Sequence, residues 1–424
     1  MRAAWLVLAV ALAGCVSAPA PLPDAAQPTA LAVPTPAELA ALAAGLPCEA
    51  AQVAGPLSDN LREVSLLDLT PTPGRLGALD AHADLLLVEH YDAGGFDVVR
   101  IADPRAPRVL GSFESPPITL DLEFTTDGAT ALLGEQSRVR LVDVRDPTRP
   151  VEEGVWDFPT PDIQAHTLHV FPWQGRDLVF TSSQTAQGMW IFAVDGAPGA
   201  RNLSVLSVYK PPVEDTMSPH EAWATFDEDL QAPVLYVANG WAGWYALDIT
   251  DPAHPRQLGL GLVPNLDPYQ EYVHSIIAAK VGGKRLVATT AEIGANALKV
   301  YDATDFAAPR LLATWTSRPV PTPSEHFFTI VGSKLLLAHY QEGGFIFDLA
   351  SLPAAPLLPW GPVARFQPGP DVGPTSSFPF QGWEGIYDVL VKDGLTYWTD
   401  RRLGVHVLAF GCFEPGDTAL TTDA

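Results

Sequence analysis

An all-β propeller, seven blades of four antiparallel strands, is the fold this sequence predicts, and three observations predict it. First, one phrase recurs: an apolar strand, an Asp, a short turn and Pro-x-x-Pro. It reads FDVVRIADPRAP ending at Pro107, VRLVDVRDPTRP at Pro150, WYALDITDPAHP at Pro255, LKVYDATDFAAP at Pro309 and FIFDLASLPAAP at Pro356, with a degenerate copy, MWIFAVDGAPGA, around Asp195. Aligned on Asp143, Asp195, Asp248, Asp302 and Asp348, the steps are 52, 53, 54 and 46 residues, and the matching Arg100 lies 43 before Asp143. Such a period, built from short strands without helical spacing, belongs to radial β-repeat architectures. Second, seven apolar second strands stand out, LLLVEHY, ALLGEQ, LVFTSS, VLYVAN, RLVATT, KLLLAHY and LTYWTD, which sets the blade count at seven, with six or eight as neighbouring solutions. Third, the two cysteines beyond residue 15 lie at opposite ends of the repeats, Cys48 before the first strand and Cys412 after the last.

Each element of the repeat has a physical reason. A single four-stranded sheet cannot bury both faces, and radial stacking solves that. The Asp at the strand end bonds backbone two residues on, while Pro fixes φ and stops the ladder. The strand LREVSLLDLT (61–70) is expected to complete the last blade beside LGVHVLAF (403–410). Closing the ring brings the termini together, so a Cys48–Cys412 disulfide is expected, stabilising by about 3–5 kcal/mol on the chain-entropy estimate.

These units resemble LVIVD repeats, in which a strand runs into a "VVDVSDPxxP" turn and a following strand. Residues 139–150 and 244–255 match closely, whereas 192–200 and 348–356 depart from the pattern. The resemblance covers most of 60–412. It implies a propeller fold and an extracytoplasmic or surface protein, and it implies no particular reaction.

Ahead of the repeats, residues 1–15, MRAAWLVLAVALAGC, combine an Arg, an apolar run too short to span a bilayer and Leu12-Ala13-Gly14-Cys15, which resembles a lipobox. Lipidation of Cys15 would anchor the mature chain to a membrane, on its periplasmic or cell-surface face. Residues 16–47, rich in Ala and Pro, read as a tether, within which TPAELAALAAGL (35–46) reads as a short helix capped by Thr35. The propeller then spans 48–412, and 413–424 reads as a flexible tail.

Composition narrows the partners. With 25 basic against 49 acidic residues, a net charge of −24 and 47% apolar content, the chain reads as one large, well-packed domain that repels phosphate backbones. Nucleic-acid binding is excluded on that ground; a monomer with an unknown protein or small-molecule ligand is expected. No Gly-x-Ser-x-Gly elbow, phosphate loop or Cys-His nucleophile pair is present.

The chemistry is concentrated in histidines. Four recur at the start of the innermost strand of successive blades: His166 in AHTLHVF, His220 in SPHEAW, His274 in EYVHSII and His326 in SEHFFTI. Inner strands line a propeller's channel, so these imidazoles are candidates to converge at one mouth and hold metal or ligand. Glu221, Glu271 and Glu325 lie beside them as supporting carboxylates. A second set, His90, Glu135, Asn239, Glu292, His339 and Asp400, falls at or just beyond the ends of the second strands, and His90 and His339 are its candidate supports. No cofactor is certain; copper and zinc are the ions such a set suits. A repeated His also satisfies a repeated structural hydrogen bond equally well. Trp223, Trp241, Trp244, Trp383 and Tyr387 are expected in blade packing, and 359–382 is the longest irregular stretch.

Two functions follow. The favoured one is a membrane-anchored binding or interaction scaffold with no reaction of its own. The alternative is a metal-dependent enzyme, oxidoreductase or hydrolase, using the channel-mouth histidines, by analogy of fold and histidine position alone with the selenium-binding propellers.

Overall fold

In the computed structural model the described residues are 34–413, apart from 51, 54, 71–73, 117, 184–187, 213–218, 262–270, 295–296, 318–324, 353–358 and 369–383. They form seven four-stranded antiparallel sheets. Blades 1 to 6 occupy 76–114, 119–157, 168–209, 221–261, 271–315 and 328–366 in chain order. Blade 7 takes three strands from 386–410, and its outermost strand is the N-terminal Leu61–Asp68, paired with Gly404–Phe410 from Leu61↔Phe410 to Asp68↔Gly404. The ring therefore closes as the sequence predicts, and Cys48 and Cys412 are joined by a disulfide.

The turn chemistry also follows the repeat. Asp103, Asp143, Asp248, Asp302 and Asp348 each accept, on Oδ1, the backbone N–H two residues on, at 2.9–3.1 Å. The Asp of each Asp-Pro pair does so again at Thr148 and Ala253. These aspartates are thus turn formers.

The apolar core is divided into wedges between neighbouring blades. Leu87, Val98 and Phe124 fill the wedge between blades 1 and 2, Leu286, Val300 and Phe347 that between blades 5 and 6, and Val88, Tyr397 and Val407 that between blades 7 and 1. Pro36–Leu42 is a helix with a Thr35–Glu38 capping box. Leu39, Leu42 and Leu46 lean on the wedge between blades 7 and 1, so the Ala/Pro-rich stretch joins the folded body from Pro36 onward. The stretch read as a signal peptide, residues 16–33 of the stretch read as a tether, and 414–424 of the stretch read as a tail lie outside the described residues. Part of the stretch read as irregular, Ala364–Phe366, is the outer strand of blade 6; it is only three residues long and has no turn signature of its own. Residues 369–382 of that stretch lie outside the described residues, as does Trp383. No helix among the described residues is long and apolar enough to cross a membrane.

Candidate metal centre

The four repeated histidines form an arc where the inner strands begin. His166 Nε2 lies 3.0 Å from His220 Nε2. The rings of His220 and His274 are 3.9 Å apart between centroids, those of His274 and His326 4.7 Å, and His326 continues onto Tyr387 at 4.0 Å. Gly77, Leu120 and Tyr387 hold the equivalent places in blades 1, 2 and 7, so the arc covers blades 3 to 6 only. In blade 1 the missing side chain has a reason: a Cβ at Gly77 would sit 1.9 Å from Glu89 Oε2, and this carboxylate accepts the Ala78 N–H in that space.

The tightest group is His220, His274 and Glu292, with one donor atom from each within 4.8 Å of the others. Both imidazoles are 1% exposed. Glu292 comes from the second strand of blade 5, Lys284–Gly294, whose pairing with Glu271–Val281 is broken by bulges around Val273. Those bulges re-aim the strand start that carries His274. Glu292 Oε2 lies 3.4 Å from His274 Nε2, while its Oε1 accepts the Tyr340 hydroxyl at 2.8 Å. Burial pushes Glu292 up to about 7. It drives the four imidazoles the other way, His166 down to about 4 and His220, His274 and His326 well below their ordinary value. The histidines are therefore neutral at physiological pH, the protonation state a metal ligand requires. His326 Nδ1 donates to the Tyr387 carbonyl at 2.9 Å, leaving Nε2 as its basic nitrogen.

The convergent donor set of two neutral imidazoles and one carboxylate, with His166 Nε2 against His220, suits zinc or copper. Tyr340 holds the carboxylate in the manner of an outer-sphere partner.

The other candidates are dispersed. Glu325 and His339 are buried together, Oε1 to Nε2 3.8 Å, with Glu342 3.9 Å from the other ring nitrogen. His90 pairs with Asp97 at 3.1 Å, inside blade 1, and Glu135 holds Arg140 through two hydrogen bonds. Asp400 accepts the backbone N–H groups of Arg402 and Leu403 in a turn. Glu221 faces the channel beyond the arc, where Ser275 and the Ile276 N–H hold it. The Glu271 side chain lies outside the described residues. Trp244 and Tyr387 are buried as packing predicts.

The channel's other half is acidic. A cavity of about 350 Å³ runs to the turns at Ala83, Thr126 and Lys392, with Asp80, Asp121, Glu123, Glu221 and Asp388 on its wall beside His169 and Trp223. Each acid is bound to the neighbouring blade: Asp80 accepts Phe124 N–H, Asp121 Leu168 N–H, Glu123 Val170 N–H and Asp388 Leu79 N–H, at 2.5–2.8 Å. Burial pushes Asp80 up to about 8 and Asp388 up to about 7. This ring of latches was not anticipated from sequence.

No protein-family model matches the chain, and no curated protein does. Solved structures do. Saccharomyces cerevisiae Sqt1 is 12% identical with a TM-score of 0.54, over 84% of this chain and 89% of that one. The β-propeller domain of Myceliophteria thermophila Cps50 (Swd1) is 13% identical with a TM-score of 0.55, over 82% of this chain and 99% of that one. A chain of the COPII outer coat vertex on membranes is 10% identical with a TM-score of 0.50, over 79% and 84%. Identities this low carry the architecture and nothing finer: the chain is a seven-bladed, four-stranded β-propeller.

Proposed function

We propose that this protein is an exported, lipid-anchored propeller of the LVIVD kind whose histidine arc binds a transition-metal ion, copper or zinc, and through it a small molecule. The observation that carries the reading is the convergence of His220, His274 and Glu292, buried, within 4.8 Å, with His166 3.0 Å from His220 as a further nitrogen. A ring of structural histidines, each bonded to the next blade, would not need a carboxylate from a second strand held in place by Tyr340. The weight therefore moves from a scaffold without chemistry towards the metal-dependent alternative, oxidoreductase or hydrolase. A bound ion would polarise an oxygen or sulfur ligand in a site shielded from water. The chain's own residues would fix its coordination and keep the imidazoles neutral.

Elemental analysis of the full chain, purified without chelator, tests the centre. About one equivalent of copper or zinc is expected in the parent and none in a His220→Ala, His274→Ala double variant. A metal-free parent that does not take up either ion overturns it. The anchor rests on Leu12-Ala13-Gly14-Cys15 and the Ala/Pro-rich stretch that follows. Fatty-acid label is expected in the parent and absent in Cys15→Ala, which should leave the membrane fraction; a membrane-bound, unlabelled parent speaks against it.

A further inference from the structure

Beside the arc, where blade 7 meets blade 1, lies a buried cation that no side chain neutralises by contact. Arg401 follows the second strand of blade 7 and is 1% exposed. Its guanidinium carbon sits 4.3 Å from the centroid of the Tyr387 ring and 4.6 Å from that of Tyr91. Its Nε and Nη2 have no hydrogen-bond partner, and no ion pair among the described residues includes it. These two nitrogens share one edge of the guanidinium, the edge that grips a carboxylate with two parallel bonds. Leaving it bare in a buried site is strongly unfavourable.

We propose that Arg401, flanked by Tyr91 and Tyr387, is the recognition element for the carboxylate of a small ligand. Three further observations support this. The Tyr387 ring that flanks the guanidinium also stacks on His326, which in turn lies 4.9 Å from the ring of Tyr340, the residue that holds Glu292. The anion site and the metal centre are thus linked through a continuous run of packed rings, Tyr387, His326 and Tyr340. Tyr91, half-buried, forms the outer side of the clamp. Glu89 is the nearby acid, its Oε2 accepts the Ala78 N–H rather than a bond from Arg401, and its Oε1 has no hydrogen-bond partner, so it does not close the guanidinium's free edge. The two rings that flank the guanidinium are aromatic, which favours a short ligand with few polar groups beyond its carboxylate.

The proposal adds to the metal-centre reading and does not depend on it. Calorimetric titration of the full chain with acetate, malonate and, as the neutral isostere, acetamide is the test, run with and without chelator. Saturable binding of a carboxylate but not of acetamide is expected in both conditions and in the His220→Ala, His274→Ala variant. Arg401→Met should weaken it about tenfold to a hundredfold, and Arg401→Lys, which keeps the charge and loses the fork, about tenfold. Absence of carboxylate binding in the parent, or equal affinity in Arg401→Lys, overturns the proposal. Should Arg401→Met fail to fold, the parent and the Lys variant decide.

Discussion

Replacing both Cys48 and Cys412 by Ser is expected to lower stability by about 3–5 kcal/mol and the thermal midpoint by about 5 °C. The bond spans 364 residues, so it removes more loop entropy from the unfolded chain than any short-range cross-link would. The effect on unfolding should be larger than the free-energy difference suggests. Blade 7 is assembled from both ends of the chain, and Leu61–Asp68 is its outermost strand. Once the disulfide is gone, non-covalent contacts alone hold the seam: that strand's pairing, the Asn60 side chain, which donates to the Cys48 and Val363 carbonyls, the Arg62 guanidinium, which donates to the Leu42 carbonyl, and the packing of Leu39, Leu42 and Leu46 on the wedge between blades 7 and 1. Opening should therefore begin there, with amides of 61–68 losing hydrogen-exchange protection before those of blades 3 and 4. Urea unfolding of parent and variant checks the first statement and exchange the second. An unchanged urea midpoint would show that the strand pairing alone closes the ring.

The sequence made the ring legible because its signals are local. The Asp at the aligned place in blades 2, 4, 5 and 6 bonds two residues on, and the second strands are largely apolar, so period and blade count can be read without knowing any contact. The histidine arc was legible for the same reason: His166, His220, His274 and His326 occupy one place in the repeat. Its closest carboxylate partner was not. Glu292 appeared only among residues at second-strand ends, while Glu221, Glu271 and Glu325 seemed nearer in sequence. Glu292 reaches His274 through the bulges around Val273, and a bulge shifts register without a reliable sequence mark. Arg401 gave still less signal, since a lone Arg after a strand usually reaches water. The one available hint is that Tyr91 and Tyr340 hold the same place in the repeat, just beyond the second strand, in blades 1 and 6. The acid latches could have been found from the pattern itself: Asp121 and Glu123 break the apolar run of an inner strand at alternate positions, so they share one face.

Those same acids dictate how stability depends on pH, and here two sets of groups act in opposite directions. Asp80 and Glu89 are pushed up to about 8, Glu292 and Asp388 up to about 7, and Asp121 and Glu221 well above the ordinary carboxylate value, chiefly by burial. In the unfolded chain each loses its proton near pH 4. Between these values the native state holds protons that the unfolded state has released, so each acid withdraws stability as pH rises, at up to about 1.4 kcal/mol per pH unit. The buried histidines do the reverse. His166 falls to about 4 and His220, His274 and His326 well below the ordinary value, so below about pH 6.5 the unfolded chain takes up protons that the native arc refuses, and stability drops as pH falls. From about pH 4.5 to 6 the two sets oppose each other, six acids against the four histidines of the arc and His406. Above about pH 7.5 the histidines are neutral in both states, and the acids dominate. Stability of the metal-free protein should thus fall only gently up to about pH 6.5 and then by several kcal/mol towards pH 8.5. Urea midpoints at pH 5, 6.5 and 8.5 in the presence of chelator measure this, and a midpoint that holds or rises between 6.5 and 8.5 would contradict it. Asp388→Asn isolates one contributor. Its amide oxygen can still accept the Leu79 N–H but not the Val389 N–H as well, so the variant should be less stable at pH 6.5 and yet decline less steeply above it. Saturating zinc should have a similar flattening effect through Glu292, because a cation at His220 and His274 would ionise that carboxyl and remove its proton from the balance.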